Sequence, residues 1–290
     1  MRTPPPQVLL LGSIASVQFG AAFADRLFDR AGPAGVVFLR LSISAAVLLA
    51  VTRPSLRGRT RADLRAAIVF GLVLAGMNWS FYEALNRLPL GVAVTIEVTG
   101  PLAVAIVGSR RWLDGLWVLL AGGGVAVLAL RSGHHAIDAL GVMFALIAAA
   151  CWASYILLSK RVGASFAHLD GLAIALGVAA LFVAPAGIVQ GGSALLQPAV
   201  LAGGFAVAML SSLIPYSLEI VALRRLAPET FGLLMSLEPA FAALAGVIVL
   251  SQPLTAPLLI ALVMVVAASV GTTVTGRDRA EVESIATGPQ

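Results

Sequence analysis

The sequence predicts an all-α integral membrane protein of ten transmembrane helices, built as two inverted five-helix repeats with both termini in the cytoplasm. Three observations carry this: the composition, the spacing of apolar runs, and the distribution of basic residues. Of the 290 residues, 59% are hydrophobic and 11% charged, with a mean hydropathy of +0.98. Soluble domains carry about 25% charged residues. The formal net charge is +5, but the basic residues sit in short clusters between apolar runs. Orientation signals in a bilayer are written that way; a nucleic-acid footprint is not.

A hydrocarbon core about 30 Å thick needs roughly 20 apolar residues per helix. Cutting the chain where Gly, Pro and charge punctuate it gives the spans in order. Span 1, 7–25, carries Gln18 in its middle; with one Arg before it and an Ala-rich end it imitates a signal peptide, but Gln18 and the spans that follow make it the first helix. Span 2, 33–52, begins after Arg26 and Arg30 and ends at the basic run of Arg53, Arg57, Arg59, Arg61 and Arg65. Span 3 is 64–85, and Arg87 separates it from span 4, 90–108. Arg110 and Arg111 precede span 5, 112–131, which contains Gly122, Gly123 and Gly124. Span 6 is 138–158, closed by Lys160 and Arg161; span 7 is 170–189. Span 8, 198–223, holds Gly203 and Gly204 and ends at Arg224 and Arg225; spans 9 and 10 are 229–250 and 255–275. The glycine clusters read as close helix packing.

With ten spans, alternate loops share a side. Arg2, the run from Arg53 to Arg65, Arg110, Arg111, Lys160, Arg161, Arg224, Arg225, Arg277 and Arg279 fall together, against only Arg26, Arg30, Arg87 and Arg131 opposite. The positive-inside rule places both termini in the cytoplasm. "ALNRLPLGVAVTIEVTGP" from Ala84 aligns without a gap with "ALRRLAPETFGLLMSLEP" from Ala222, an offset of 138 residues. The matched segments sit at spans 3 to 4 and 8 to 9, which defines a first repeat of 1–132, a second of 138–276 and a cytoplasmic tail of 277–290. Five spans per half force the halves into opposite orientations, a hallmark of secondary transporters with a midplane site.

Three acids fall at depth within spans, away from their ends: Glu97, Glu219 and Glu238. An ionisable group at the bilayer centre costs about 2.5–3.5 kcal/mol on insertion scales, so it normally faces protein or water. Three prolines lie near them. Pro101 deprives the Glu97 carbonyl of its helical donor, Pro239 does so for Met235, and Pro215 for Ser211. Such breaks are tolerated in membranes where the freed backbone lines a cavity or is satisfied by neighbours. The plain alternative is a structural kink with each Glu bonded to a nearby Ser, Thr or Trp, and for Glu219 a pairing toward Arg224 and Arg225.

Other polar and aromatic residues share helix faces: Asn78 with Tyr82, Trp152 with Tyr155, and Tyr216 with Glu219. With Gln18 they line one expected chamber, the usual build of a small-ligand pocket. The competing reading is interfacial anchoring for the aromatics and interhelical hydrogen bonds for the amides. Arg40, inside span 2, either snorkels outward, pairs with Asp25 or Asp29, or meets a substrate carboxylate. The single cysteine, Cys151, excludes an intrachain disulfide and reads as packing. Adjacent His134 and His135 have no metal-ligand spacing, and no phosphate-loop or dinucleotide motif is present. The chain therefore reads as no enzyme, without metal or cofactor.

The blocks "GMNWSFYEALNRLPLGVAVTIEVTGPLAVA" (Gly76 to Ala105), "CWASYIL" (Cys151 to Leu157), "IPYSLEIVALRRL" (Ile214 to Leu226) and "FGLLMSLEPAFAALAG" (Phe231 to Gly246) strongly resemble the threonine and homoserine exporter family. That family lies in the EamA branch of the drug/metabolite transporter superfamily. The resemblance implies two inverted EamA repeats and proton-driven export of small amino acids across a bacterial inner membrane. The chain departs from the family at Phe19 and Asp25, where a Gly and a Lys are common, and at Gln252, where a Glu is usual. Phe19 is expected to narrow the pocket near Gln18, and the missing Lys and Glu to remove loop contacts.

The resulting expectation is alternating access by a monomeric, proton-coupled exporter of a zwitterionic amino acid. A carboxyl in low dielectric prefers its neutral form, which makes Glu97 and Glu238 the proton-coupling candidates. The substrate ammonium meets Glu97 and freed carbonyls; its hydroxyl meets Asn78, Gln18 or Tyr82; Trp152, Tyr155 and Tyr216 wall the chamber, and Glu219 and Glu238 are further substrate-binding candidates. The rivals are an exporter of larger ligands, such as aromatic amino acids or cationic drugs, and a non-transporting receptor or scaffold.

Overall fold

The computed structural model describes residues 5–55, 58–106, 112–131, 138–166, 169–215, 218 and 234–287, and among them it holds only helices, turns and short connections. In order these are α1 (Pro6–Asp25), α2 (Phe28–Thr52), α3 (Arg61–Leu85), α4 (Leu90–Glu97), α5 (Thr99–Ile106), α6 (Trp112–Arg131), α7 (Ala139–Ser165), α8 (Asp170–Gly191), α9 (Pro198–Ala208), α10 (Glu238–Leu250) and α11 (Ala256–Thr287). A 3-10 turn, Gly192–Leu196, precedes α9, and a π turn, Met209–Leu213, follows it. Helices α1, α2, α3, α7 and the α8 segment are long and apolar enough to cross a membrane. Shorter apolar helices occupy the other five expected spans. Helix α11 carries on through the residues expected to form a tail.

Proline chemistry shapes the interruptions. In span 4 the helix is interrupted by a single residue: α4 ends at Glu97, Val98 makes a turn, and α5 starts at Thr99, placing Pro101 in its first turn. In span 9 the turn is Ser236–Leu237, with Pro239 in the first turn of α10. The two breaks are separated by the 138-residue offset of the sequence match. Helix α2 contains an unpredicted kink at Gly32, whose φ of 67° suits glycine. Gln190 of α8 repairs it, its Oε1 accepting from the Ala34 N–H at 2.7 Å. Gln190 also fills the space where a side chain at position 32 would stand.

The principal helix pairings are α2 with α8, α3 with α7 and α8, α1 with α10 and with the α9–π-turn segment, α2 with α9, α4 with α7 and α10, α5 with α7, and α6 with α11. Buried Leu, Val, Ile, Phe and Ala from most of these elements merge into one apolar core. Large apolar side chains such as Leu119, Leu181, Val189 and Val263 point outward instead. An apolar surface of that kind suits lipid rather than water.

Glycine permits the closest approaches. A Cβ at Gly100 would lie 2.0 Å from the Ala149 carbonyl oxygen, so α5 and α7 touch backbone to backbone. Gly123 faces Met264 and Gly124 faces Ala261 and Val265, as a packing role requires, whereas nothing lies within 4 Å of a Cβ at Gly122. Gly203 and Gly204 pack on Leu27 and Leu39.

Candidate functional site

Polar residues gather on α1, α2, α3 and the π turn, and α3 in turn meets α4 of span 4. On α1, Ser16 Oγ donates to the Leu210 carbonyl at 2.7 Å, and Ser13 Oγ to the Pro215 carbonyl at 3.4 Å. A Cβ at Gly20 would run into Ser211 Oγ. Gln18 projects from the other side of α1, the side of the buried Ile14, which packs with Leu234, Met235 and Phe241. Gln18 is 3% exposed, and its Oε1 has no donor among the described residues.

Arg40 organises the next layer. Its Nη2 donates to the Ser211 carbonyl at 2.8 Å, its Nε to Ser212 Oγ at 3.3 Å and its Nη1 to Tyr82 Oη at 3.3 Å. The guanidinium carbon also lies 5.6 Å from the centre of the Tyr82 ring. The Ser211 carbonyl is the acceptor that Pro215 was expected to free, and Arg40 takes it. Of the readings open for Arg40, the pairing with Asp25 or Asp29 is not seen among the described residues. The partners of Arg40 include Ser211 and Ser212 on a distant segment, a signal that periodicity cannot give.

Tyr82 is fully buried, its ring 5.5 Å from Phe28 and 6.0 Å from Phe81. One turn earlier, the buried Asn78 donates its amide to the Leu74 carbonyl at 2.8 Å, within its own helix. Glu97, at the end of α4, is 9% exposed and takes no hydrogen bond or ion pair within 4.0 Å among the described residues. It nonetheless lies within Coulombic reach of Arg40 and of the Cys151 thiol. Cys151 packs on α3, 3.3 Å from a Cβ placed at Gly76. Trp152 and Tyr155 are half-buried on α7, Tyr155 stacked on Phe70 at 5.1 Å. Glu238 is buried at the start of α10, beside the buried Pro239, and is itself partnered. Tyr216 and Glu219 lie outside the described residues.

Two of the departures are now placed. Phe19 packs against the apolar core next to Gln18. Gln252 keeps a contact: its Oε1 accepts from the Leu90 N–H at 3.0 Å, so the expected loss is corrected there.

The arrangement offers a half-buried cation, a buried acid out of ion-pairing range of it, and buried polar atoms without partners among the described residues. Such a site suits a small polar ligand and lacks any nucleophile–base pair among the described residues.

Comparison with known proteins agrees in kind. A model of the EamA-like transporter family matches residues 139–274. The threonine/homoserine exporter RhtA of Escherichia coli (strain K12) is 44% identical over 282 residues, covering 97% of this chain and 95% of the relative. RhtA of Salmonella typhimurium (strain LT2) is 43% identical with the same coverage. A solved crystal structure of a protein 21% identical superposes with a TM-score of 0.62, covering 95% of this chain and 98% of its own, which shows a shared fold.

Proposed function

The chain belongs to the threonine/homoserine exporter family of EamA-like transporters, and from that membership we infer that it exports small amino acids of the threonine and homoserine type. It is a multi-pass membrane transporter and not an enzyme.

The finer reading is alternating access by a proton-coupled monomer in a bacterial inner membrane, with both termini cytoplasmic. Ten spans in two opposed halves are supported by the pairing pattern: exchanging α1 to α6 for α7 to α11 carries most principal contacts onto one another. The family match to residues 139–274 supports the division into 1–132 and 138–276. The asymmetry of basic residues supports the orientation.

The single observation that carries the mechanism is Glu97: a buried carboxyl at a broken helix, without a hydrogen-bond donor among the described residues. A group so placed exchanges a proton or a ligand ammonium rather than cementing the fold. Glu97 and Glu238 are proposed as the proton-coupling groups, and Gln18, Asn78, Tyr82, Trp152, Tyr155, Tyr216 and Glu219 as the substrate chamber. Competition between proton and substrate for the acids would link the two gradients.

The test is uptake of labelled threonine, homoserine and phenylalanine into inverted vesicles under an acid-interior gradient, for the parent, Glu97→Gln and Glu238→Gln. Gradient-driven uptake of threonine and homoserine is expected in the parent and lost in the substituted proteins. If both substitutions retain it, the proton assignment falls and export stands. A preference for phenylalanine would move the substrate class to larger ligands.

A further inference from the structure

We propose that Arg40 is the subsite for the substrate's α-carboxylate, set opposite Glu97, so that the transported zwitterion lies between a fixed cation and a fixed acid; this deepens the export reading and rests on it.

The argument starts from cost. A guanidinium stays charged in any protein environment, and placing it within a membrane span requires compensation. The compensation found is incomplete. Among the described residues Arg40 meets only neutral acceptors, the Ser211 carbonyl, Ser212 Oγ and Tyr82 Oη, two of them at 3.3 Å. No carboxylate is within 4.0 Å among the described residues, and Glu97 is held farther away although their charges sense each other. A structural ion pair would close that gap.

Guanidinium has five N–H donors, and the described partners use one on each nitrogen. One N–H therefore remains on each terminal nitrogen, the number a carboxylate accepts with its two oxygens. Polar atoms nearby are also left over. Ser44, one turn along α2 from Arg40, is fully buried, and neither its hydroxyl nor the buried Ser211 Oγ has a partner among the described residues. Buried unsatisfied groups clustered beside an under-coordinated cation mark a place where a ligand or water completes the bonding.

The geometry also gives selectivity. A ligand with both an ammonium and a carboxylate would bridge Arg40 and Glu97, while one lacking the carboxylate leaves the two remaining guanidinium N–H groups without that acceptor. Charged hydrogen bonds of that kind are worth roughly a ten- to a hundred-fold in affinity.

The experiment measures labelled threonine uptake in inverted vesicles, with unlabelled L-threonine and L-threoninamide as competitors. In the parent, threoninamide is expected to compete at least about tenfold more weakly than threonine. In Arg40→Gln the apparent KM for threonine rises by roughly ten- to a hundred-fold and the two competitors become equivalent; Arg40→Lys recovers part of the difference. A merely structural Arg40 would lower the amount of active transporter without altering this selectivity. Equal competition in the parent overturns the assignment even if the variants fail to fold, and leaves export standing. Parental selectivity that persists in Arg40→Gln also overturns it. No uptake of any amino acid by the parent overturns the export reading and this one with it.

Discussion

Gln252 and Leu90 are joined across the two halves of the protein, the Gln252 Oε1 accepting from the Leu90 N–H at 3.0 Å. Leu90 opens α4 directly after Pro89, so its N–H has no partner inside the helix. The bond thus links the loop after α10 to the start of the helix that ends in Glu97. Close by, Gly91 lies against Ala243 of α10, where a Cβ would stand 3.1 Å away. Gln252→Ala is expected to cost about 1 kcal/mol, the usual worth of one hydrogen bond. Gln252→Glu is expected to keep it, since a carboxylate suits a helix N-terminus. Thermal melting in detergent decides; a Gln252→Ala protein that melts with the parent would show the bond to be idle.

Pro101 makes a second prediction, because it separates stability from transport. Alanine there restores an N–H able to reach the Glu97 carbonyl, allowing α4 and α5 to run on as one helix. Melting of Pro101→Ala is expected to be unchanged or raised, while threonine uptake in inverted vesicles slows several-fold. Parental uptake rates in this variant would remove the break from the transport cycle.

Much of this architecture was legible in the sequence for simple reasons. Apolar runs and their punctuation are local, and proline's missing N–H acts four residues away, so the breaks beside Glu97 and before Glu238 could be placed beforehand. Arg40 could not, because its partners come from Tyr82 on α3 and from a π turn more than 170 residues along the chain. Composition reads Gly122 and Gly124 alike, yet only Gly124 packs closely on another helix. Which face of a helix meets a neighbour is a tertiary property. Gln252 carries the same lesson, since a departure from the family residue preserves the contact through its remaining carbonyl.

Gln18 yields a third prediction. Its Oε1 is buried on α1 without a donor among the described residues, and an unsatisfied buried polar atom costs about 1–3 kcal/mol. Gln18→Leu removes that atom at similar volume, so melting is expected to hold or rise. If Gln18 meets substrate, the apparent KM for threonine rises in the same variant. A destabilised protein with a parental KM would instead make Gln18 a structural residue.

Gly100 and Gly122 provide the sharpest contrast in packing. At position 100 an added methyl would meet the backbone of Ala149 at 2.0 Å, a distance no side-chain rotation relieves, so α5 and α7 would have to separate. Overpacking of this kind costs roughly 1–3 kcal/mol, and here it would also shift α5 relative to Glu97. At position 122 the same methyl meets open space, and alanine is the better helix former by about 1 kcal/mol. Gly100→Ala is therefore expected to melt earlier and transport less, and Gly122→Ala to match or exceed the parent in melting with transport intact. Equal behaviour of the two variants would mean that the helices around the break do not approach as closely as their backbones indicate.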